Sequence, residues 1–201
     1  MELLTKFKDI PINNQRTQEQ TVLHTLWSEK PTLLLFLRRL GCPICRTYVM
    51  QIQESLSEFT TRGIRVVAMS FEALGEGSDS DGSFSKGGYW TGELFSISKE
   101  VYQDVFGKKS IFGVFNIDPN AIQQMRKRNV SGNFKGDGLI LGGQIGLLPS
   151  QQIVLDHRQS RFGDDATVDT ILKAFDSNSL PPSQTSSQPI AFSESLPAPQ
   201  D

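Results

Sequence analysis

Thr32-Leu33-Leu34-Leu35-Phe36-Leu37-Arg38-Arg39-Leu40-Gly41-Cys42-Pro43-Ile44-Cys45-Arg46 is the stretch whose reading decides the fold. Leu33 to Leu37 is an unbroken apolar run between Pro31 and Gly41, the pattern of a central strand buried on both faces. A short basic loop follows. Pro43 then suits the first turn of a helix, where the amide it lacks would have had no partner. The chain's two cysteines sit in that first turn, in C-x-x-C spacing.

Downstream, Ile44, Tyr48, Val49, Ile52, Leu56 and Phe59 recur at three- and four-residue steps. They predict one long amphipathic helix from Cys42 to about Arg62, ended by Gly63. Ile64 to Met69 is a second buried strand, which makes a right-handed βαβ unit. Upstream, Phe7, Ile10 and Ile12 precede a polar loop, Asn13 to Arg16. Thr17 with Gln20 forms a capping-box pattern, and Val22, Leu23, Leu26 and Trp27 predict a helix of about three turns.

Gly75 to Gly88 is dominated by Gly, Ser and Asp and reads as a flexible loop. Tyr89, Trp90, Leu94, Phe95 and Ile97 return to the core. Ser98 caps a short helix that Gly107 closes. Pro119, after Asp118, starts another helix to about Arg128, with Ile122 and Met125 inward. The glycines of Gly132 to Gly143 imply close backbone approach rather than a strand interior. Gln144–Leu148 and Gln152–Asp156 form a hairpin around Pro149-Ser150, and a last helix runs from about Asp164 to Phe175. From Ser177 onward Ser, Pro and Gln predict a disordered tail. The division is a lead-in over residues 1–16, one domain over 17–176, and the tail over 177–201. The layout is α/β and thioredoxin-like: a central mixed sheet with helices on both faces.

The 201 residues allow one well-buried domain plus a tail. A net charge of −2 implies no bulk attraction to nucleic acid or anionic membrane. No apolar run is long enough to insert in a bilayer, and Glu2, Lys6, Lys8 and Asp9 interrupt any signal-peptide core. A cytoplasmic location is the expectation. There, a lone C-x-x-C pair is redox chemistry rather than a stabilising staple, since the loop it closes is short.

Only a thiolate is a useful sulfur nucleophile. At a helix N-terminus, unpaired amides and the helix dipole favour the thiolate of Cys42. Arg38, Arg39 and Arg46 add cations nearby. Cys45, one turn on, is placed to form a disulfide, so Cys42 attacks and Cys45 resolves. Two blander readings compete: ordinary buried apolar cysteines, or a zinc site completed by His24 and His157. The glycine run is a weak candidate phosphate cradle, lacking the Walker lysine and hydroxyl. Arg126-Lys127-Arg128 complements a helix C-terminus or offers a docking patch. Phe71, Tyr89, Trp90 and Phe95 are core residues or the lining of an apolar substrate pocket.

Leu35 to Arg46 resembles the signature of the peroxiredoxin-like 2 family, which includes prostamide/prostaglandin F synthase and AhpC/TSA-type antioxidant proteins. Gly132 to Gly143 is similar to the same family's glycine-rich segment. Asp156-His157-Arg158-Gln159 followed by Gly163-Asp164 is similar to its ending. The resemblance covers about residues 20 to 175. It implies a thioredoxin-like fold and a C-x-x-C centre, Cys42 attacking and Cys45 resolving, that reduces an organic peroxide or endoperoxide. No bound cofactor is implied; thioredoxin or a similar dithiol reductant, supplied by NADPH, restores the dithiol. Leu35 and Arg39 stand where a peroxiredoxin carries the Pro and Thr that precede its reactive cysteine. Gly143 lies about where thioredoxin places a proline. Arg39 or Arg46 is a candidate to polarise the peroxide in place of the missing hydroxyl. The alternatives are a general protein disulfide reductase and a binding module that has lost efficient catalysis.

Overall fold

The structure is a computed structural model and describes residues 2–107 and 116–178. Its centre is β3 (Thr32–Phe36), buried along its whole length. Alternation along the strand sends Leu34 and Phe36 to one face of the sheet and Leu33 and Leu35 to the other. β4 (Arg65–Ser70) runs parallel to β3, and β5 (Glu93–Ser96) parallel to β4. On the other side β6 (Gly143–Leu147) is antiparallel to β3, and β7 (Ile153–Arg158) is antiparallel to β6. β1 (Pro11–Asn14) and β2 (Gln20–Val22) extend the β5 edge, giving a seven-stranded mixed sheet of order β2-β1-β5-β4-β3-β6-β7.

Helices cover both faces. On the Phe36 side, Phe7 of α1 (Glu2–Phe7) stacks on Phe36, and Tyr102 and Phe106 of α4 (Lys99–Phe106) close over the same ring. On the Leu35 side lie α2 (Pro43–Glu54), α3 (Leu56–Thr61) and α6 (Val168–Asp176), through Val49, Ile52, Phe59, Ile171 and Phe175. α5 (Pro119–Lys127) packs beside the start of α2 through Ala121 and Met125.

Several local expectations change. Phe7 and Ile12 are buried in the core and β1 is paired in the sheet, so the segment read as a lead-in packs with the rest. Asn13 and Asn14 end β1 rather than starting a loop. Asn14 Oδ1 accepts from the amides of Arg16 and Thr17, turning the chain into β2. Thr17 spends its hydroxyl on Glu19 instead of capping a helix, and β-branched Thr21 and Val22 pair with β1. What remains of the expected helix is one 3₁₀ turn, Leu23–Leu26, which still buries Leu23 and Leu26.

The long helix is two. Ser55 leaves the helical region at φ −100°, ψ 8°, and the bend brings Phe59 into the core against the sheet. The loop read as flexible is tied to a buried carboxylate. Asp79 accepts from the amides of Gly75, Phe84 and Ser85, and Phe84 drops into the core. Gly143 opens β6 rather than lying before it, because its missing side chain lets the β7 backbone and Phe106 press against it. α6 begins at Val168, where Thr167 Oγ1 caps the amide of Thr170. The hairpin, the Ser98 cap, the helix start at Pro119 and the end of α4 at Gly107 are as the sequence predicts, and Asp118 in addition caps α5 by accepting from the amide of Asn120. Apart from Ser177 and Asn178, the expected tail lies outside the described residues. No helix among the described residues is long and apolar enough to cross a membrane.

Candidate thiol redox site

The βαβ crossover places the site. β3 ends at Phe36, Leu37 still donates its amide to Met69 O, and the chain turns so that Cys42 becomes the N-cap of α2 with Pro43 in the first turn. Cys42 takes extended backbone, φ −74°, ψ 121°, and its carbonyl accepts from Arg46 N at 2.9 Å. Both cysteines are reduced, and they are 3% and 6% exposed.

The sulfurs are unequal. The Cys45 thiol donates to Cys42 Sγ and holds Cys42 well below the usual thiol range, helped by the charge of Arg38, the Cys45 amide and, least, the charge of Arg39. Burial works against this and is outweighed. The same thiol–thiolate hydrogen bond, together with burial, pushes Cys45 well up. The thiolate form is thus favoured at Cys42 and the thiol form at Cys45.

Arg38 is the cation that touches the sulfur, with Nη2 3.2 Å from Cys42 Sγ. Its Nη1 donates to Gly138 O at 2.9 Å and its guanidinium lies over the Phe162 ring at 3.9 Å. Arg39 and Arg46, expected near the thiolate, face elsewhere. Arg39 donates to Asn133 O and Lys135 O. Arg46, fully buried, donates to Leu40 O and Ser131 O, grips both Asp81 oxygens at 3.1 Å, and lies over Tyr89. Burial explains the division: each cation in this low-dielectric region takes fixed acceptors, and only Arg38 has the sulfur within reach. The glycine-rich segment shows the arginines its carbonyls, a lining opposite to a phosphate cradle.

The remaining candidates are scattered. His24 Nδ1 is 2.6 Å from Lys8 O, and His157 Nε2 is 3.0 Å from Asp164 O, each in a local contact of its own. Trp90 and Phe95 are core, Phe71 meets Tyr102 edge-on, and Tyr89 lies under Arg46. Arg128 pairs with Glu54.

One group escaped the sequence reading. Asp165, in the turn before α6, accepts from Gln144 Nε2 at 2.8 Å and Gln159 Nε2 at 2.7 Å, both on Oδ1. The two amides are themselves fixed, their Oε1 atoms accepting from Ala166 N and Gly142 N. Burial raises the Asp165 carboxyl to about 6, against the opposing pull of Gln144, Gln159, Arg38 and His157. The available signal was Gln144, a polar residue inside an otherwise apolar strand pattern. Nothing in the sequence linked it to residues 159 and 165. Asp165 also lines a cleft of about 490 Å³ beside α2, with Ile44, Tyr48, Ala121, Ala166 and Val168 among its walls.

Comparisons with known proteins place the chain in a family. Residues 4–76 match the AhpC/TSA family. Prostamide/prostaglandin F synthase of Xenopus tropicalis is 32% identical over 180 residues, 85% of this chain and 86% of that protein. The Salmo salar protein of the same name is 30% identical over 168 residues, 79% and 80% of the two chains. Xanthomonas campestris bacterioferritin comigratory protein superposes with a TM-score of 0.57 at 18% identity, covering 88% of this chain and 94% of that one, a likeness of fold. With relatives aligned along most of both chains, a thioredoxin-like sheet and a cysteine pair opening α2, this chain belongs to the peroxiredoxin-like 2 group of the AhpC/TSA family.

Proposed function

We propose that this thiol-dependent oxidoreductase reduces the O–O bond of an organic peroxide or endoperoxide through Cys42 and Cys45, and is recharged by thioredoxin or a similar dithiol protein. The observation that carries the reading is the Cys42 sulfur. It caps a helix, accepts from the Cys45 thiol and amide, and lies 3.2 Å from a buried guanidinium. Relatives that bear the name prostamide/prostaglandin F synthase bring endoperoxides into the candidate class.

In the proposed cycle the Cys42 thiolate attacks one peroxide oxygen. An S–O bond forms, the O–O bond breaks, and the departing alkoxide takes a proton. With a hydroperoxide the product on the enzyme is a sulfenic acid. Cys45 then loses its proton and attacks the Cys42 sulfur, forming the disulfide and releasing water. With an endoperoxide the first attack leaves the substrate tethered through oxygen, and Cys45 releases it as a diol. Two thiols are oxidised and one O–O bond is reduced in either case. Thioredoxin returns two electrons and two protons by disulfide exchange.

Arg38 takes the position from which a guanidinium can stabilise both the thiolate and the charge developing on the leaving oxygen. Arg39 and Arg46, the candidates for that task from the sequence, are committed to loop carbonyls.

The test is NADPH consumption with thioredoxin reductase, thioredoxin and tert-butyl hydroperoxide or a lipid endoperoxide. Cys42→Ser abolishes turnover, and Cys45→Ser blocks the thioredoxin-driven cycle while leaving a peroxide-oxidisable Cys42. Wild-type rates no higher than those of Cys42→Ser across several organic peroxides would overturn the reading. Efficient insulin reduction in the absence of peroxide turnover would favour the disulfide-reductase alternative.

A further inference from the structure

The buried arginines of the signature do something besides framing Cys42: they grip one loop. Arg46 donates to Ser131 O, Arg39 to both Asn133 O and Lys135 O, and Arg38 to Gly138 O. The carbonyls on either side of Phe134 are thus held by a single guanidinium. The side chain of Asn133 adds a second clamp, accepting from Lys135 N at 3.0 Å and donating to Ser78 O at 2.8 Å.

The same loop lies directly on the cysteine turn. Asn133 N donates to Gly41 O at 2.8 Å, and a Cβ on Gly132 would stand 2.5 Å from Gly41 O and from the Pro43 ring. The residues immediately before and after Cys42 therefore touch the two residues that precede Phe134.

Phe134 itself is 97% exposed, and among the described residues it is the one large apolar side chain so presented. A lone exposed apolar residue is ordinarily unremarked. Here its backbone is ordered by buried cations, so little conformational entropy remains to be lost when something covers the ring. A ring this exposed has no wall beside it to form a small-molecule pocket, and a broad opposing surface is what would bury it. Cys42 and Cys45 are nearly buried, so a protein that reduces their disulfide must bring its own sulfur close over this turn.

We propose that Phe134 is the docking contact for the dithiol protein that recharges the Cys42–Cys45 disulfide, packing against apolar surface around that protein's reactive cysteine. This rests on the peroxide-reducing reading given above. In the step served, a reductant thiolate attacks one sulfur of the disulfide and a mixed disulfide forms as the internal S–S bond breaks. The reductant's second thiol then displaces it. The reductant leaves oxidised, and Cys42 and Cys45 together gain two electrons and two protons.

The experiment compares wild type, Phe134→Ala and Phe134→Leu, each driven either by thioredoxin with NADPH and thioredoxin reductase or by dithiothreitol, with tert-butyl hydroperoxide as oxidant. The expected result is a roughly tenfold fall in kcat/KM for thioredoxin in the alanine variant. Leucine recovers most of it, and dithiothreitol-driven turnover is unchanged in both. Thioredoxin kinetics within twofold of wild type, or an equal fall with dithiothreitol, overturns the proposal. So does unchanged thioredoxin kinetics with loss of co-sedimentation on phosphatidylcholine–phosphatidylserine vesicles, which assigns the ring to a lipid surface. Wild type that turns over with neither reductant overturns the peroxidase reading itself, an outcome distinct from a defect confined to thioredoxin.

Discussion

At the scale of the residue, the proposed chemistry depends on how the ionised form of one nearly buried sulfur is favoured. Desolvation alone would protonate Cys42. It is outweighed by the Cys45 thiol, which donates to it, and then by the charge of Arg38. Arg38→Met keeps much of the stem that packs near Phe162 and removes the charge and the 3.2 Å hydrogen bond. The pH at which Cys42 becomes reactive toward iodoacetamide should then move up, because one of the charges that favour its thiolate is gone. Stopped-flow alkylation across the acid-to-neutral range measures this, and an unmoved inflection would mean that the Cys45 contact suffices. Arg39→Met, by contrast, should change the inflection little, because its guanidinium is spent on Asn133 O and Lys135 O.

At the scale of the element, a helix N-terminus and a glycine-rich loop are fitted together. α2 supplies the oriented amides. The loop supplies carbonyls that accept hydrogen bonds from three buried guanidinium groups, and without those acceptors the buried N–H groups would lose water with nothing in its place. The fit depends on Gly132, whose missing side chain allows contact with Gly41 and Pro43. Gly132→Ala meets a backbone carbonyl and a proline ring, neither able to swing aside as a flexible side chain would. It should cost roughly 1–3 kcal/mol in urea unfolding and lower Cys42 reactivity together with stability. A variant of unchanged midpoint and activity would show that the loop can shift without consequence.

At the scale of the whole molecule, the sheet brings β6, β7 and the turn before α6 together behind the cysteines, and this concentrates an unusual carboxyl. Asp165 titrates at about 6, raised from an ordinary value of 3.8. Burial opposes its ionised form, while Gln144, Gln159, Arg38 and His157 favour it; its charge adds to the burial that raises Tyr48 and, as a minor contribution, to the Cys42 hydrogen bond and burial that raise Cys45. Because the folded value is the higher one, the native protein binds more protons than the unfolded chain between about pH 4 and 6. Stability attributable to this group is full below pH 4 and declines as pH rises through 6. Asp165→Asn retains an acceptor for both glutamines. It should therefore be more stable than wild type at pH 7, by at most about 3 kcal/mol, with the two proteins converging near pH 4. Chemical denaturation at a series of pH values decides it; parallel profiles would rule out an Asp165 that binds its proton more tightly in the folded protein.

The sequence by itself determined the features that rest on short-range periodicity and covalent order. Leu33 to Leu37 reads as a doubly buried strand, Pro43 as the opening of a helix, and Cys42 and Cys45 as a pair in its first turn. These readings need only a window of ten or fifteen residues. The segment from Thr17 to Trp27 misled because its spacing fits a helix, while pairing with β1, a tertiary contact, favoured a strand and one 3₁₀ turn. Only the tertiary structure could decide which arginine serves the sulfur. Arg38, Arg39 and Arg46 are alike in local charge, and their roles diverge because these loop acceptors lie 85 to 100 residues away in the chain. Asp165 was hidden for the same reason: a carboxyl's environment is assembled from strands distant in sequence, and burial and fixed partners have no local signature.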